Sequence, residues 1–350
     1  MRVAENLNAA LHDVLETDPA AYVIGEDILD PYGGAFKITK GLSSRFPGRV
    51  LGTPISEAGI TGLAAGLALC GDAAIVEIMF GDFVALAFDQ IVNFAAKSCS
   101  MYGTRVPMRM VVRCPTGGGR GYGPTHSQSL QKHFIGVPGL SVYEMSPLHD
   151  NRAVMSAMLA SGEPSVFFED KVLYTRRMYD VPDPFHSDMI PAGNTGPGVA
   201  RVFLDDPEEA DCVIIAPGGM VDRVTRAMRA LLLDHEVTCC LFVPSRLYPF
   251  DLFDSTGPLE SGAQAVGSGG LAPALRRARA VLVVEEGTAG GTWGSEVAHQ
   301  IHRLMWRDLR RPVAQVNSVG SVIPAAAHLE SAVLVGESTI YDAVLEALRD

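Results

Sequence analysis

The sequence predicts an α/β protein of two domains, each a mostly parallel sheet flanked by helices. Three observations predict it. Short apolar runs alternate with helix-like segments through the first half of the 350 residues, the pattern of a parallel sheet covered on both faces. Residues 178–198, "MYDVPDPFHSDMIPAGNTGPG", break this pattern with prolines and glycines and no apolar period, as a connection does. The alternation then resumes. The chain divides into a first domain at 1–180, a linker at 181–197 and a second domain at 198–350.

The elements follow in order. "MRVAENLNAALHDVLETDP" reads as an amphipathic helix with Val3, Leu7, Ala10, Leu11, Val14 and Leu15 on one side. Its early acids and missing apolar stretch argue against a secretory signal. "AYVIGED" reads as a buried strand ending in acids, and "AAIVEIMF", "RMVVRCPTG", "LSVYEMS" and "PSVFFED" as four more. Helices are expected over 57–69, 84–101 and 147–161; the last has a Ser-Pro start and a glycine stop. In the second half "DCVIIAPGG", "VTCCLFVPSR" and "AVLVVEEG" read as strands. "MVDRVTRAMRALLLD" and the residues from Gly294 to Arg307 read as helices, and "SGAQAVGSGGLAPAL" as a loop.

Composition narrows the classes of function. The hydrophobic fraction of 47% supplies two cores, and a net charge of −12 argues against nucleic acid or an anionic membrane as partner. No run of roughly 18 or more apolar residues occurs, because Asp72, Glu77 and Asp82 interrupt the longest candidate. Six cysteines without a CxxC pair read as buried, reduced thiols of a cytoplasmic protein.

One segment stands out. In "TPISEAGITGLAAGLALCG", Glu57 opens a helix whose Gly59, Gly62 and Gly66 leave almost no side chain on one face. Glycine inside a helix costs about 1 kcal/mol relative to alanine, so another structure is expected to approach closely. That structure is either the chain itself or a partner subunit or cofactor. Glu57 is either a carboxylate favoured by the helix dipole or a ligand-binding group. "GGGRGYGP" at 117–124 lacks the order of a phosphate-binding loop and reads as a mobile loop leading to His126.

Four stretches, "GEDILDPYGGAFKITKGL", "TPISEAGITGLAAGLAL", "EIMFGDFVALAFDQIVNFAAK" and "PTGGGRGYGPTHSQS", occur in this order. Together they resemble the β subunit of the decarboxylating component of 2-oxo acid dehydrogenases, of pyruvate, branched-chain 2-oxo acid or acetoin type. In the second domain "SRLYPFD", "VVEEGTAGGTWGSE" and "IPAAAHLE" extend the resemblance. It implies a transketolase-like, thiamine-diphosphate-dependent fold, with a pyrimidine-type domain followed by a transketolase C-terminal-like domain. It implies that Glu57 bonds N1′ of the cofactor's aminopyrimidine and that Phe83 stacks on that ring, where many relatives carry tyrosine. Phe80 and Gln90 would line the pocket. His126 would stabilise the oxyanion and manage protons, with Ser127 and Ser129 as its supports. For Phe83 the other reading is a core aromatic, and for His126 a structural histidine.

The Gly-Asp-Gly plus asparagine pattern that holds Mg²⁺ is missing: "CGDAA" precedes a strand, and Asn93 follows on a helix. No other metal constellation is present. The resemblance implies that an α subunit supplies that half in an α2β2 heterotetramer, and that some relatives carry a structural K⁺. The implied activity is decarboxylation of a 2-oxo acid and acyl transfer to a lipoyl acyltransferase. The alternative is transketolase-like transfer of a two-carbon unit from a ketose or 2-oxo acid to an acyl carrier protein. A non-catalytic scaffold conflicts with the intact Glu57, Phe83 and His126 set. Arg246 and Asp251 match the relatives where neighbouring residues differ, and the loop 266–273 departs from their continuous helix.

Overall fold

A computed structural model describes residues 1–191, 196–250 and 271–349. Strands β1 (Ala21–Glu26), β2 (Val50–Thr53), β3 (Ala73–Glu77), β4 (Met110–Thr116), β5 (Ser141–Glu144) and β6 (Ser165–Asp170) run parallel in the order β5-β6-β4-β3-β1-β2. Their side chains alternate between two apolar layers. Val23, Val111 and Phe167 enter one layer; Ile24, Val112 and Phe168 enter the other. Burial on both faces explains why these strands read as continuous apolar runs.

Helix α1 (Val3–Thr17) covers the first layer, α2 (Leu42–Arg45) follows β1, and α3 (Glu57–Leu69) covers the second layer. Val3, Leu7, Leu11 and Leu15 of α1 are fully buried, each such side chain contributing about 1.5–3 kcal/mol. The single helix expected over 84–101 is instead a tight 3₁₀ stretch at 81–87, a wide π stretch at 90–95 and a short α4 (Ala96–Ser98). Gly81 sits against Pro115 and Thr116, and Gln90 packs onto Gly62, so tertiary contacts override the helical pattern at both places. Helix α5 (Asn151–Ala160) joins α1 through Asn6, which donates to Asp150 and accepts from the Asn151 amide.

The second sheet has the order β13-β12-β9-β10-β8-β7. Its antiparallel edge is β7 (His186–Ile190) on β8 (Val199–Phe203). β7 lies inside the span expected to be a linker. Its residues are largely exposed and flanked by proline and glycine, which hides a strand from an apolar reading. β9 (Cys212–Ile215), α6 (Val221–His235) and β10 (Cys239–Pro244) follow. β11 (Arg246–Tyr248) then crosses to the first sheet and pairs antiparallel with β5.

Helix α7 (Leu271–Arg277) replaces the end of the expected loop, because Leu271, Ala274 and Leu275 bury against the core. Asp251 and residues 266–270 lie outside the described residues. The chain closes with β12 (Ala280–Thr288), α8 (Trp293–Met305), β13 (Ala314–Ser318), α9 (Ala327–Val333) and α10 (Glu337–Leu348). Trp293 donates to the Leu247 carbonyl at 3.0 Å, and one apolar layer runs from Ile24 and Val112 of the first sheet to Val213, Phe242 and Trp293 of the second. Cys99, Cys114, Cys212, Cys239 and Cys240 are buried, Cys70 is exposed, and all six are free thiols. Among the described residues no helix is long and apolar enough to cross a membrane.

Candidate active site

The strand order β4-β3-β1-β2 places four segments at one edge of the first sheet. Glu26 ends β1, Glu57 follows β2, Phe80 and Phe83 follow β3, and His126 follows β4. Chain order reverses around β1, since β2 lies on one side and β3 on the other. In open α/β sheets the crevice outside the carboxyl ends at such a switch is where ligands bind.

The carboxylates come first. Glu57 is the first residue of α3 and is 7% exposed; Ser56 is its N-cap. Glu26 is also buried. Burial, then the neighbouring Glu57, push its carboxyl above the usual range, while the Ser56 N–H opposes this. Glu26 Oε1 has no hydrogen-bond partner. A buried, unpartnered carboxylate oxygen is costly unless something else binds it. Sequence reasoning gave Glu26 no role, although a strand ending in acids was the available signal.

The rings come second. Phe80 lies 4.7 Å and Phe83 5.2 Å from His126, both edge-to-face. Tyr122 and Phe36 extend the cluster from Phe80, at 5.9 and 5.6 Å. Thr125 Oγ1 stands 3.0 Å from His126 Nδ1, which leaves Nε2 as the nitrogen for other partners. Gln90 does not join this cluster; its Oε1 lies 2.9 Å from where a side chain on Gly62 would begin. Gly62 therefore serves packing within the chain. Gly66 meets nothing within 4 Å.

The loop carrying His126 is tied at both ends. Gln128 donates through its amide and its side chain to Asp82 Oδ1, at 3.1 and 2.8 Å. Asp82 sits inside "FGDF", one residue before Phe83, so one carboxylate couples the ring segment to the histidine loop. At the other end Gly117, Gly119, Gly121 and Gly123 all take positive φ, which favours glycine. Their turns aim backbone N–H groups outward. Gly118 donates to Glu286 at 2.8 Å, and Gly119 and Gly121 donate to Glu330 at 2.9 and 3.0 Å. The glycine run thus cradles carboxylates of the second domain, in the manner of an anion-binding nest. The loop expected to be mobile is pinned. Ser129 donates to Glu286 rather than toward His126, and Ser127 Oγ is buried without a partner.

Behind the loop lies a cavity of about 20 Å³, room for one water, lined by Ser129, Gln131, Glu144, Asp170, Glu285 and Glu286 among others. Burial pushes Glu144 up to about 8 against the Gly219 N–H and Gln131. Burial, then Glu286, push Asp170 up to about 7. For Glu286 burial is outweighed by Arg223, 2.6 Å away, and by the Gly118 N–H, so its carboxyl lies below its usual range. Lys171 is fully buried, and burial lowers it to about 8 despite Asp170 and Asp82 nearby.

Whether an aminopyrimidine fits can be judged from the donor set. A flat heterocycle needs an aromatic face, a carboxylate for a ring nitrogen and acceptors for an exocyclic amine. Phe83 is a half-buried ring, Glu57 a buried carboxylate, and Glu26 Oε1 an acceptor without a partner. These residues fit. Among the described residues no group of three or more His, Cys, Asp and Glu could hold a metal ion.

Comparison with known proteins shows the family of the chain. Residues 1–177 match the family described as transketolase, pyrimidine binding domain. The chain is 32% identical over 329 residues to 2-oxoisovalerate dehydrogenase subunit beta 2, mitochondrial, of Arabidopsis thaliana, covering 93% of this chain and 83% of that protein. It is 32% identical over 343 residues to the pyruvate dehydrogenase E1 component subunit beta of Porphyra purpurea, covering 97% and 94%. Against the same subunit of Leifsonia xyli subsp. xyli it is 32% identical over 348 residues, covering 98% and 93%. Among solved structures it shares the fold of a split-gene transketolase described as an inactive beta4 tetramer, with TM-score 0.71, 19% identity and coverage of 99% and 98%.

Proposed function

We infer the function of this chain from its family: it belongs to the β subunits of the decarboxylating component of 2-oxo acid dehydrogenases, with a transketolase pyrimidine-binding domain at residues 1–177. It works as part of an enzyme. An α subunit completes an α2β2 heterotetramer and supplies the Mg²⁺–diphosphate half of thiamine diphosphate. The assembly decarboxylates a 2-oxo acid and passes the acyl group to a lipoyl domain. We place it in the cytoplasm, on its free buried thiols.

One observation carries this reading: the pair Glu26 and Glu57, and the pair Phe83 and His126, lie at or after the carboxyl ends of four adjacent parallel strands at the switch in chain order. Thiamine diphosphate, when bound, supplies a nucleophilic carbon and an electron sink. Glu57 holds a proton at a ring nitrogen of its aminopyrimidine. Burial and then the neighbouring Glu57 raise the Glu26 carboxyl, so Glu26 holds its own proton more readily than an exposed glutamate does. Phe83 offers the flat apolar face, and Phe80 sets its ring edge-to-face against His126. His126, with Nδ1 engaged by Thr125, uses Nε2 to stabilise charge on the substrate oxygen and to move a proton there.

The test is reconstitution with the α partner from the same host. Glu57→Gln should bind the cofactor more weakly and lose roughly 100-fold or more in decarboxylation with an artificial acceptor. Wild-type turnover in that variant would sink the assignment. Offering a lipoyl domain and an acyl carrier protein to the wild-type complex decides the acceptor: acylation of the carrier alone would overturn the lipoyl step.

A further inference from the structure

A groove of about 610 Å³ opens beside the ring cluster, within the size range of small-molecule sites. Two ring-to-ring steps, of 5.6 Å from Phe36 to Phe80 and 4.7 Å from Phe80 to His126, join its wall to the candidate site. Tyr122 lines it too, 5.9 Å from Phe80.

Its charge runs against that of the molecule. The chain carries −12 and only five lysines, yet Lys37, Lys40, Arg2 and Arg120 all line this groove, with Glu5 as the one acid. Among the described residues none of these four cations has a carboxylate within 4.0 Å, whereas most ion pairs elsewhere use arginines of the same chain. Lys37 Nζ rests on the Tyr32 ring and donates to the Tyr32 carbonyl, and Arg120 donates to the Lys171 carbonyl. These contacts hold the side chains without neutralising them.

The loop that presents the lysines is built in advance. Asp30 accepts from the Gly41 amide, the Ser43 hydroxyl and both the amide and the hydroxyl of Ser44. Asn8 of α1 donates to the carbonyls of Ile38 and Lys40. Gly33, at φ +71, leaves no room for a side chain: a Cβ there would stand 2.7 Å from the Lys40 Cα and 2.9 Å from its backbone nitrogen. Such preorganisation lowers the entropic cost of gathering like charges around a ligand.

We propose that this groove binds an anionic group, a carboxylate or phosphate, on the end of the substrate remote from its reacting carbon. The preferred substrate is then a dianion. This rests on the reading of His126 and its rings as the active site. A monoanion whose charge sits at its reacting end leaves the four cations unmatched, and an anion at the remote end supplies part of the missing negative charge.

The experiment is calorimetry on the assembled α2β2 complex with three probes: 2-oxoglutarate, fructose 6-phosphate and pyruvate. The two dianions should bind about ten-fold more tightly than pyruvate, and Lys37→Met/Lys40→Met should lose that advantage. Lys37→Arg/Lys40→Arg should restore it, which separates lost charge from misfolding. The stronger of the two dianions tells carboxylate from phosphate. Equal affinity for all three probes, or no change in the methionine variant, overturns the proposal. Calorimetry does not depend on turnover. An inactive Glu57→Gln with no dianion preference rejects the groove alone; a fully active Glu57→Gln with the preference intact rejects the active-site reading and leaves an anion site.

Discussion

Glu57 and Glu26 illustrate how a residue's meaning depends on its neighbour. Glu57 was visible in the sequence because an acid before an apolar, glycine-rich helix is unusual. Glu26 was hidden in a strand end until the sheet brought β1 beside β2. His126 and Phe83 were legible through their motifs, but Asp82 was not, since its bond to Gln128 spans 46 residues. Asp82 predicts a positioning effect. Asp82→Ala removes two charge-assisted hydrogen bonds, each worth about 1.5–3 kcal/mol, from the segment that holds His126. The expected result in the assembled enzyme is a fall in kcat of roughly ten-fold or more with little change in KM. A KM effect alone would place Asp82 in substrate binding instead.

At the scale of elements, the buried strands and α3 were legible because each carries one dominant signal, an apolar run or a capped apolar helix. β2, β7 and β13 carry no such signal: their burial is partial and their side chains mixed. The irregular stretch at 81–98 has a helical sequence and is split by contacts made far away in the chain. The parallel strands also hold a device that no local pattern announces. Arg113 of β4 is fully buried and donates to Glu77 of β3 at 2.6 Å and to Glu169 of β6 at 2.7 and 2.8 Å. The Tyr174 hydroxyl donates to the same Glu169. Burial works against the Arg113 charge, yet Glu169 and Glu77 outweigh it and keep the guanidinium firmly protonated. Arg113→Met would strand two buried carboxylates. We expect it to cost about 3–5 kcal/mol in urea unfolding followed by circular dichroism. A loss under about 1 kcal/mol would mean that water or protonation relieves both acids.

At the scale of the whole molecule, the seam between the two sheets buries Glu144, Asp170 and Glu285 around one small cavity. Glu144 lies there at 4% exposure and is pushed up from 4.5 to about 8 by burial. A carboxyl raised in the folded state contributes stability that is fully present below 4.5 and lost as pH rises through about 8. Asp170, raised to about 7, acts in the same direction. Glu144→Gln cannot ionise. It should match the wild type near pH 5 and exceed its melting temperature by several degrees near pH 8.5, which thermal denaturation across pH will check. A constant difference between the two proteins at every pH would assign the effect to packing. The same seam sets a limit on modularity. Residues 1–177 are a recognisable unit in sequence, yet a polypeptide cut there would lack β11 from its sheet edge and the Glu286 and Glu330 carboxylates that its glycine loop holds. Three amides would be left for solvent or a stray phosphate to fill, and the histidine they steady would lose its mooring. Any recombination that swaps the C-terminal half for a relative's must carry those two glutamates with it, so the smallest inheritable unit of this active site is nearly the full chain.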